Sequence, residues 1–354
     1  MWLLENHTRM FSKIHSHIEL KKTTSLLFSK LMVFLLSVSL VVISCNSFKD
    51  APYLEVKFEQ KSSFPDGGRS SAVSFVINDK AYVALGRNDV LKNDCYQYDP
   101  QLDKWKQVAA FPGIPRVNAV AATVDDEAYV GLGYNSDLGI YNADAILRDF
   151  WKYNPKTDAW TRLADFPASS TNKCIAFTFG QKIYIGFGFS GDKFERDMWQ
   201  YNPESDTWTE LPKNTSIPSR SGGVACTDFE YVYFGTGFNT HTLSDWWQFN
   251  SRTYDWKRLK NIPGTGRTMA VAFSLEDRIF VGTGRFFQGT LTGGHLKGDL
   301  LEYDVQKNVW YHRGEMPDGG RENAVSFVVG GKAYIGLGEN DSGTLDDLWV
   351  IHNL

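Results

Sequence analysis

A twelve-residue stretch at positions 149–160, DFWKYNPKTDAW, recurs almost to the end of the chain and restricts the fold more than any other feature. Copies stand at 94–105, 197–208, 245–256 and 299–310, each with eleven residues from Asp to the closing Trp and seven from the inner Tyr or Phe to that Trp. Alternating aromatic residues mark a half-buried strand, Asn or Asp with Pro supplies a turn, and Trp opens a second strand. Each copy predicts a β-hairpin.

Upstream of each hairpin an apolar run ends in Gly-x-Gly, as at Gly131/Gly133, Gly186/Gly188, Gly235/Gly237, Gly282/Gly284 and Gly336/Gly338, with Ala84/Gly86 in the first copy. Seventeen residues before the second glycine an arginine begins a small-residue strand: Arg69, Arg116, Arg220, Arg267 and Arg321. The third unit has Thr171 there instead. Six units of four strands result, with a period of about fifty residues. After Asp347 the sixth unit lacks a closing Trp, so residues 54–60 are expected to supply its outer strand against residues 347–352. That pairing closes a ring and removes exposed sheet edges.

The paired glycines, the Tyr and Trp at fixed offset, and Phe-Pro-x-x-x-Arg at Phe64 and Phe111 resemble the kelch repeat. The resemblance implies an all-β, six-bladed kelch-type β-propeller over residues 54–354. Large aromatics then fill the wedges between blades, which accounts for 14% Phe, Trp and Tyr without any cofactor, and none is expected.

The amino-terminal segment reads differently. Residues 31–44, LMVFLLSVSLVVIS, are apolar, follow Lys21, Lys22 and Lys30, and are short for a membrane-spanning helix. With Cys45 next, the segment resembles a bacterial lipoprotein signal. That implies removal of residues 1–44, lipidation of Cys45, a tether over residues 45–53 and membrane attachment at the cell envelope, with the outer membrane favoured. A formal charge of −4 without a basic stripe argues against nucleic acid as a partner. Cys95, Cys174 and Cys226 fall in predicted strands with no CxxC spacing, so buried free thiols are expected instead of a disulfide framework or zinc site.

Loops in an antiparallel meander alternate between two faces. The links after Gly133 and Gly284, in units two and five, are the long ones, and these units stand opposite each other in a ring of six. Facing loops would wall a cleft, making Asn135, Tyr141, His241 and His295 candidate binding residues. Arg69, Arg116, Arg220, Arg267 and Arg321 share that face. Their guanidinium groups suit a carboxylate or sugar acid, but an Asp recurs beside them at 94, 149, 197, 245, 299 and 347, so structural Arg–Asp pairs are the stronger expectation. Thr171 marks a gap in that ring.

His241 and His295 with Tyr134 or Tyr141 bear some similarity to the copper ligands of galactose oxidase, also a kelch propeller. No loop cysteine matches its Tyr-Cys crosslink, and no metal is expected. The chain is also similar in blade number and exported location to the N-acetylneuraminate epimerases. That resemblance implies an acid and a base near a sugar; Glu339, Asp137, Asp144 and Glu195 lie on the right face, though in no recognisable motif, and catalytic residues stay unassigned. The expectation is a monomeric, envelope-anchored module binding a small sugar or a protein on its long-loop face. The alternative is a sugar epimerase or mutarotase.

Overall fold

Blade two shows why the repeated motif folds as it does. Phe150–Asn154 pairs antiparallel with Ala159–Arg162, placing Tyr153 opposite Trp160. The Tyr153 hydroxyl donates to Asp158 Oδ1 at 2.8 Å, and Asp158 sits at φ +48°, a left-handed conformation that Asp tolerates better than most residues. The same oxygen accepts the Ala109 N–H at 2.8 Å, while Trp160 Nε1 donates to the Ala109 carbonyl at 2.9 Å. Ala109 lies in the link from blade one, so the motif closes its own turn and also stitches neighbouring blades together. Tyr98/Asp103/Trp105, Tyr201/Asp206/Trp208 and Tyr303/Asn308/Trp310 repeat the arrangement. Blade four loses hydroxyl and acceptor together: Phe249 and Tyr254 stand there, with ring centroids 6.3 Å apart.

This computed structural model describes residues 56–354 except 140–141, 169–170, 229 and 290–292. The hairpins extend into six four-stranded antiparallel sheets. The innermost strands are Val73–Ile77, Val120–Val124, Ile175–Phe179, Val224–Thr227, Val271–Leu275 and Val325–Val329. In blades one to five the chain runs outward strand by strand. Blade six has Val325–Val329, Lys332–Gly336 and Leu348–His352, and its outer strand is Lys57–Gln60 from the other end of the sequence. Lys57 faces His352 and Gln60 faces Trp349, as the expected closure requires.

The innermost strands surround a central channel, one section of which, about 250 Å³, is lined by small residues, among them Ala72, Ala119, Gly223, Ala270 and Ala324. Farther from the axis the gaps widen and aromatics fill them: Phe111 meets Trp160 edge-on at 5.2 Å, and Phe166 meets Trp208 at 5.1 Å. The Gly-x-Gly runs turn each second strand out of its sheet. A Cβ at Gly86 would lie 2.6 Å from the Ser70 carbonyl oxygen, and the middle residue of every run is also left-handed, from φ +56° at Leu132 to +63° at Leu85. A left-handed non-glycine residue costs about 1–2 kcal/mol, which the burial of Leu85, Leu132 and Leu337 offsets. On the opposite face the turns are minimal: Asn78 and Asp79 both have positive φ, as a two-residue hairpin of type I′ requires.

Candidate functional site

Five arginines begin on the long-loop face, each adopting one geometry. Arg220 Nη1 donates to Asp245 Oδ1 at 2.7 Å and to the Thr236 carbonyl at 2.8 Å, and Nη2 donates to Asp245 Oδ2 at 2.6 Å. Arg69–Asp94, Arg116–Asp149, Arg267–Asp299 and Arg321–Asp347 are equivalent. Trp247 Nε1 adds a 2.6 Å bond to Asp245, as Trp151 and Trp349 do to Asp149 and Asp347. Burial opposes ionisation of Asp245, yet the Arg220 bonds hold its carboxyl below the ordinary carboxylate range. All five arginines are fully buried and bound to their aspartates, which corrects the collar alternative. Their Nη donors face carboxylates and carbonyls inside the blades, so they are not exposed ligand-binding groups.

The rim of the channel lies just beyond them. The residue after each arginine slot bridges to the residue after the second glycine: Ser70 to Arg87, Val117 to Tyr134, Asn172 to Phe189, Ser221 to Phe238, Thr268 to Arg285 and Glu322 to Glu339. The next position holds Ser71, Asn118, Lys173, Gly222, Met269 or Asn323, all with φ between +54° and +60°. Their N–H groups run blade to blade around the mouth: Asn118 to the Ser71 carbonyl at 3.2 Å, Gly222 to Lys173 at 2.9 Å, Met269 to Gly222 at 2.8 Å, Asn323 to Met269 at 3.1 Å and Ser71 to Asn323 at 3.2 Å.

Charge on this rim is uneven: apart from the exposed Arg87 in blade one, it gathers in blades three, five and six. Arg285 Nε donates to Glu322 Oε1 at 2.6 Å and Asn323 Nδ2 to Glu339 Oε1 at 2.8 Å, grouping blades five and six. Lys173 approaches from blade three, opposite blade six; its Nζ lies 3.7 Å from Met269 Sδ and makes no ion pair among the described residues. Burial pushes the Lys173 amine down, against the pull of Glu322 and Glu339. Burial likewise pushes the Glu322 carboxyl up, against Arg285, with Glu339 adding to the rise. Perturbed groups of opposite kind around one channel mouth mark a functional-site candidate. An aromatic arc completes the surroundings, with Phe189–Phe194, Phe194–Phe238 and Phe238–Phe287 centroids 5.1, 5.8 and 6.0 Å apart.

The residues expected from loop length fare unevenly. Asn135 uses its side chain to accept the Asp137 N–H at 3.0 Å, capping the short turn Ser136–Leu138. His241 is exposed on a two-residue hairpin, and His295 is exposed against Phe286, their rings stacked at 6.4 Å. No group of three His, Cys, Asp or Glu side chains among the described residues could hold a metal. Tyr141 and Cys45 lie outside the described residues. Glu339 is on the rim; Asp137 and Asp144 belong to the exposed loop of blade two, and Glu195 is half-buried near Lys193 at 3.4 Å. Lys173 and Glu322 escaped sequence reasoning, and superposing the six units to find the odd residue at each rim position would have exposed them. Cys95 and Cys226 lie in strands, whereas Cys174 precedes its strand; all three are free, and burial raises the Cys174 thiol to about 12.

Six four-stranded blades with this repeat define the class: the chain is a kelch-repeat β-propeller. Residues 114–284 match the family model described as the KLHDC2/KLHL20/DRC7 Kelch-repeats domain. Among curated proteins, N-acetylneuraminate epimerases of Shigella sonnei (strain Ss046) and Escherichia coli (strain K12) are each 29% identical over 145 residues. Those matches cover 39% of this chain and 37% of the relatives' length. A solved structure titled "Structure of YjhT" superposes with a TM-score of 0.70 at 20% identity, covering 82% of this chain and 96% of that one, and establishes likeness of fold.

Proposed function

We propose that this protein binds a small anionic sugar at the long-loop mouth of its channel. The observation that carries the reading is the departure from sixfold repetition: Lys173, Arg285, Glu322 and Glu339 stand at rim positions that the other blades fill with neutral residues, except for Arg87 in blade one. A propeller needs those positions for backbone bridges, not for charge, so the charge answers to a ligand. Lys173 and Arg285 suit a carboxylate, Glu322 and Glu339 accept hydroxyl protons, and the Phe189–Phe194–Phe238 arc offers an apolar wall; a few convergent polar groups beside aromatics are the usual make-up of a small-ligand site. Partial similarity to N-acetylneuraminate epimerases supports the ligand class.

Epimerisation or mutarotation is the second reading. Glu322 favours it, because a carboxyl raised towards neutrality can deliver a proton to a ring oxygen and recover one from a hydroxyl. Calorimetric titration with N-acetylneuraminate, glucuronate and neutral glucose separates these ideas. Binding is expected for the acids and not for glucose, weakened about tenfold or more in Lys173→Met, in line with loss of a charge-assisted contact. Equal affinity in that variant would overturn the site. Polarimetry of a freshly dissolved pure anomer tests catalysis, which Glu322→Gln should abolish while leaving binding measurable.

A further inference from the structure

Blade three is the unit without its arginine, yet it keeps the groups that hold one. In the other five blades Nη1 donates to the carbonyl between the paired glycines, at 2.8 Å for Leu85, 2.9 Å for Leu132, 2.8 Å for Thr236, 3.1 Å for Thr283 and 3.0 Å for Leu337, as well as to the blade's aspartate. Blade three has the same pair of acceptors in the Phe187 carbonyl and Asp197. Thr171 is too short to reach them, and its hydroxyl lies 2.9 Å from Cys174 Sγ. The Phe187 carbonyl accepts no hydrogen bond among the described residues. Phe187 is buried, and a buried carbonyl is seldom left without a donor.

Two further observations converge on this place. The Asp197 side chain is 34% exposed, against 7–21% for its five equivalents, and its ion pair is with Lys213, which is 61% exposed and comes from the link beyond the blade. Trp199 Nε1, whose counterparts Trp151, Trp247 and Trp349 donate to their aspartates, is buried without a partner among the described residues. The junction between blades two and three is also looser. Each other junction has three backbone bonds, illustrated by Gly188 N to the Arg220 carbonyl at 2.8 Å, Arg220 N to the Glu195 carbonyl at 3.2 Å and Gly222 N to the Lys173 carbonyl at 2.9 Å. The equivalents from Gly133 to Thr171, Thr171 to Leu147 and Lys173 to Asn118 are not formed among the described residues.

We propose that blade three is a guanidinium-binding site. A planar guanidinium from a ligand donates to the Phe187 carbonyl and to Asp197, in the pose that Arg69, Arg116, Arg220, Arg267 and Arg321 hold in their own blades, and it reaches them from the long-loop face, where those three backbone bonds are not formed among the described residues. Asp197 turns from Lys213 to the incoming group. An ammonium ion is a point charge and cannot serve a carbonyl and both carboxylate oxygens in that fork geometry, so the site discriminates between the two. The guanidinium belongs either to an arginine side chain of a partner polypeptide or to a free guanidino compound.

Thermal unfolding of the intact protein in millimolar guanidinium chloride, against sodium chloride and methylammonium chloride at equal ionic strength, tests the proposal. Guanidinium should raise the midpoint saturably, as a ligand of the folded state does, and bind about tenfold tighter than methylammonium. Thr171→Arg should raise the midpoint by itself and erase the guanidinium response; Asp197→Asn should erase the response without that rise. No saturable shift in wild type, or the same shift in both variants, overturns the site. If Thr171→Arg does not fold, the Asp197→Asn comparison still decides. A short arginine peptide that competes with guanidinium, when its lysine counterpart does not, assigns the polypeptide source; guanidinium and agmatine binding without the peptide assigns a small guanidino ligand.

Discussion

Arg220 and Asp245 illustrate how much one repeated pair does in this ring. The guanidinium is wholly buried, and its Nε also donates to the Pro218 carbonyl at 3.2 Å, so a single side chain joins the start of one strand to the ends of two others. Removing one partner leaves a buried charge uncompensated. Arg220→Met is expected to lower unfolding free energy by about 3–5 kcal/mol in urea titrations, and Arg220→Met/Asp245→Leu to recover part of that loss. The folded-state pKa of Asp245 is depressed relative to its unfolded value near 3.8. Its contribution is therefore complete above that pH and is lost as pH falls through the lower folded value, so the double variant should lose less stability below about pH 4 than wild type. These pairs were legible because Arg and Asp recur at matching places in unit after unit. Lys173 and Glu322 were not, because repetition reveals the scaffold and conceals whatever differs between copies.

Strands were easier to read than the links between them. The Tyr–Asp–Trp hairpins follow from local turn chemistry, which sequence carries directly. The loops obey no such rule: blade two folds its long link into the turns Ser136–Leu138 and Ala143–Ala145, whereas blade five makes a small hairpin of Arg285–Phe286 with His295–Leu296. Loop length pointed to the long-loop face and to histidines that are exposed there, while the rim charges sit on the bridges beneath. The junction between blades two and three is the other feature that no periodicity announces. Hydrogen exchange should find the amides of Gly133, Thr171 and Lys173 exchanging faster than Gly188, Arg220 and Gly222 at the next junction, since local opening follows missing backbone bonds. Equal protection at both junctions would contradict the described geometry.

At the scale of the molecule the ring is held shut by Lys57–Gln60. Phe58 packs with the cluster of Val56, Met316 and Ile351, and His352 Nε2 lies 2.9 Å from Glu59 Oε2 across the closure. A truncation beginning at Lys61 should lower the thermal midpoint by on the order of 10 °C and shift the protein to larger species in gel filtration, since Leu348–His352 becomes a bare edge. A truncation beginning at residue 54 should do neither. The six blades and this closure were legible in the sequence because the unit count and the missing outer strand constrain each other.

The partnership of Lys57–Gln60 with Leu348–His352 also dictates an order of events during synthesis. The earliest propeller residues to leave the ribosome cannot find their neighbours until the latest ones have followed, so the growing polypeptide travels with one strand unmated. Until then Phe58 has no strand of the last blade to pack against.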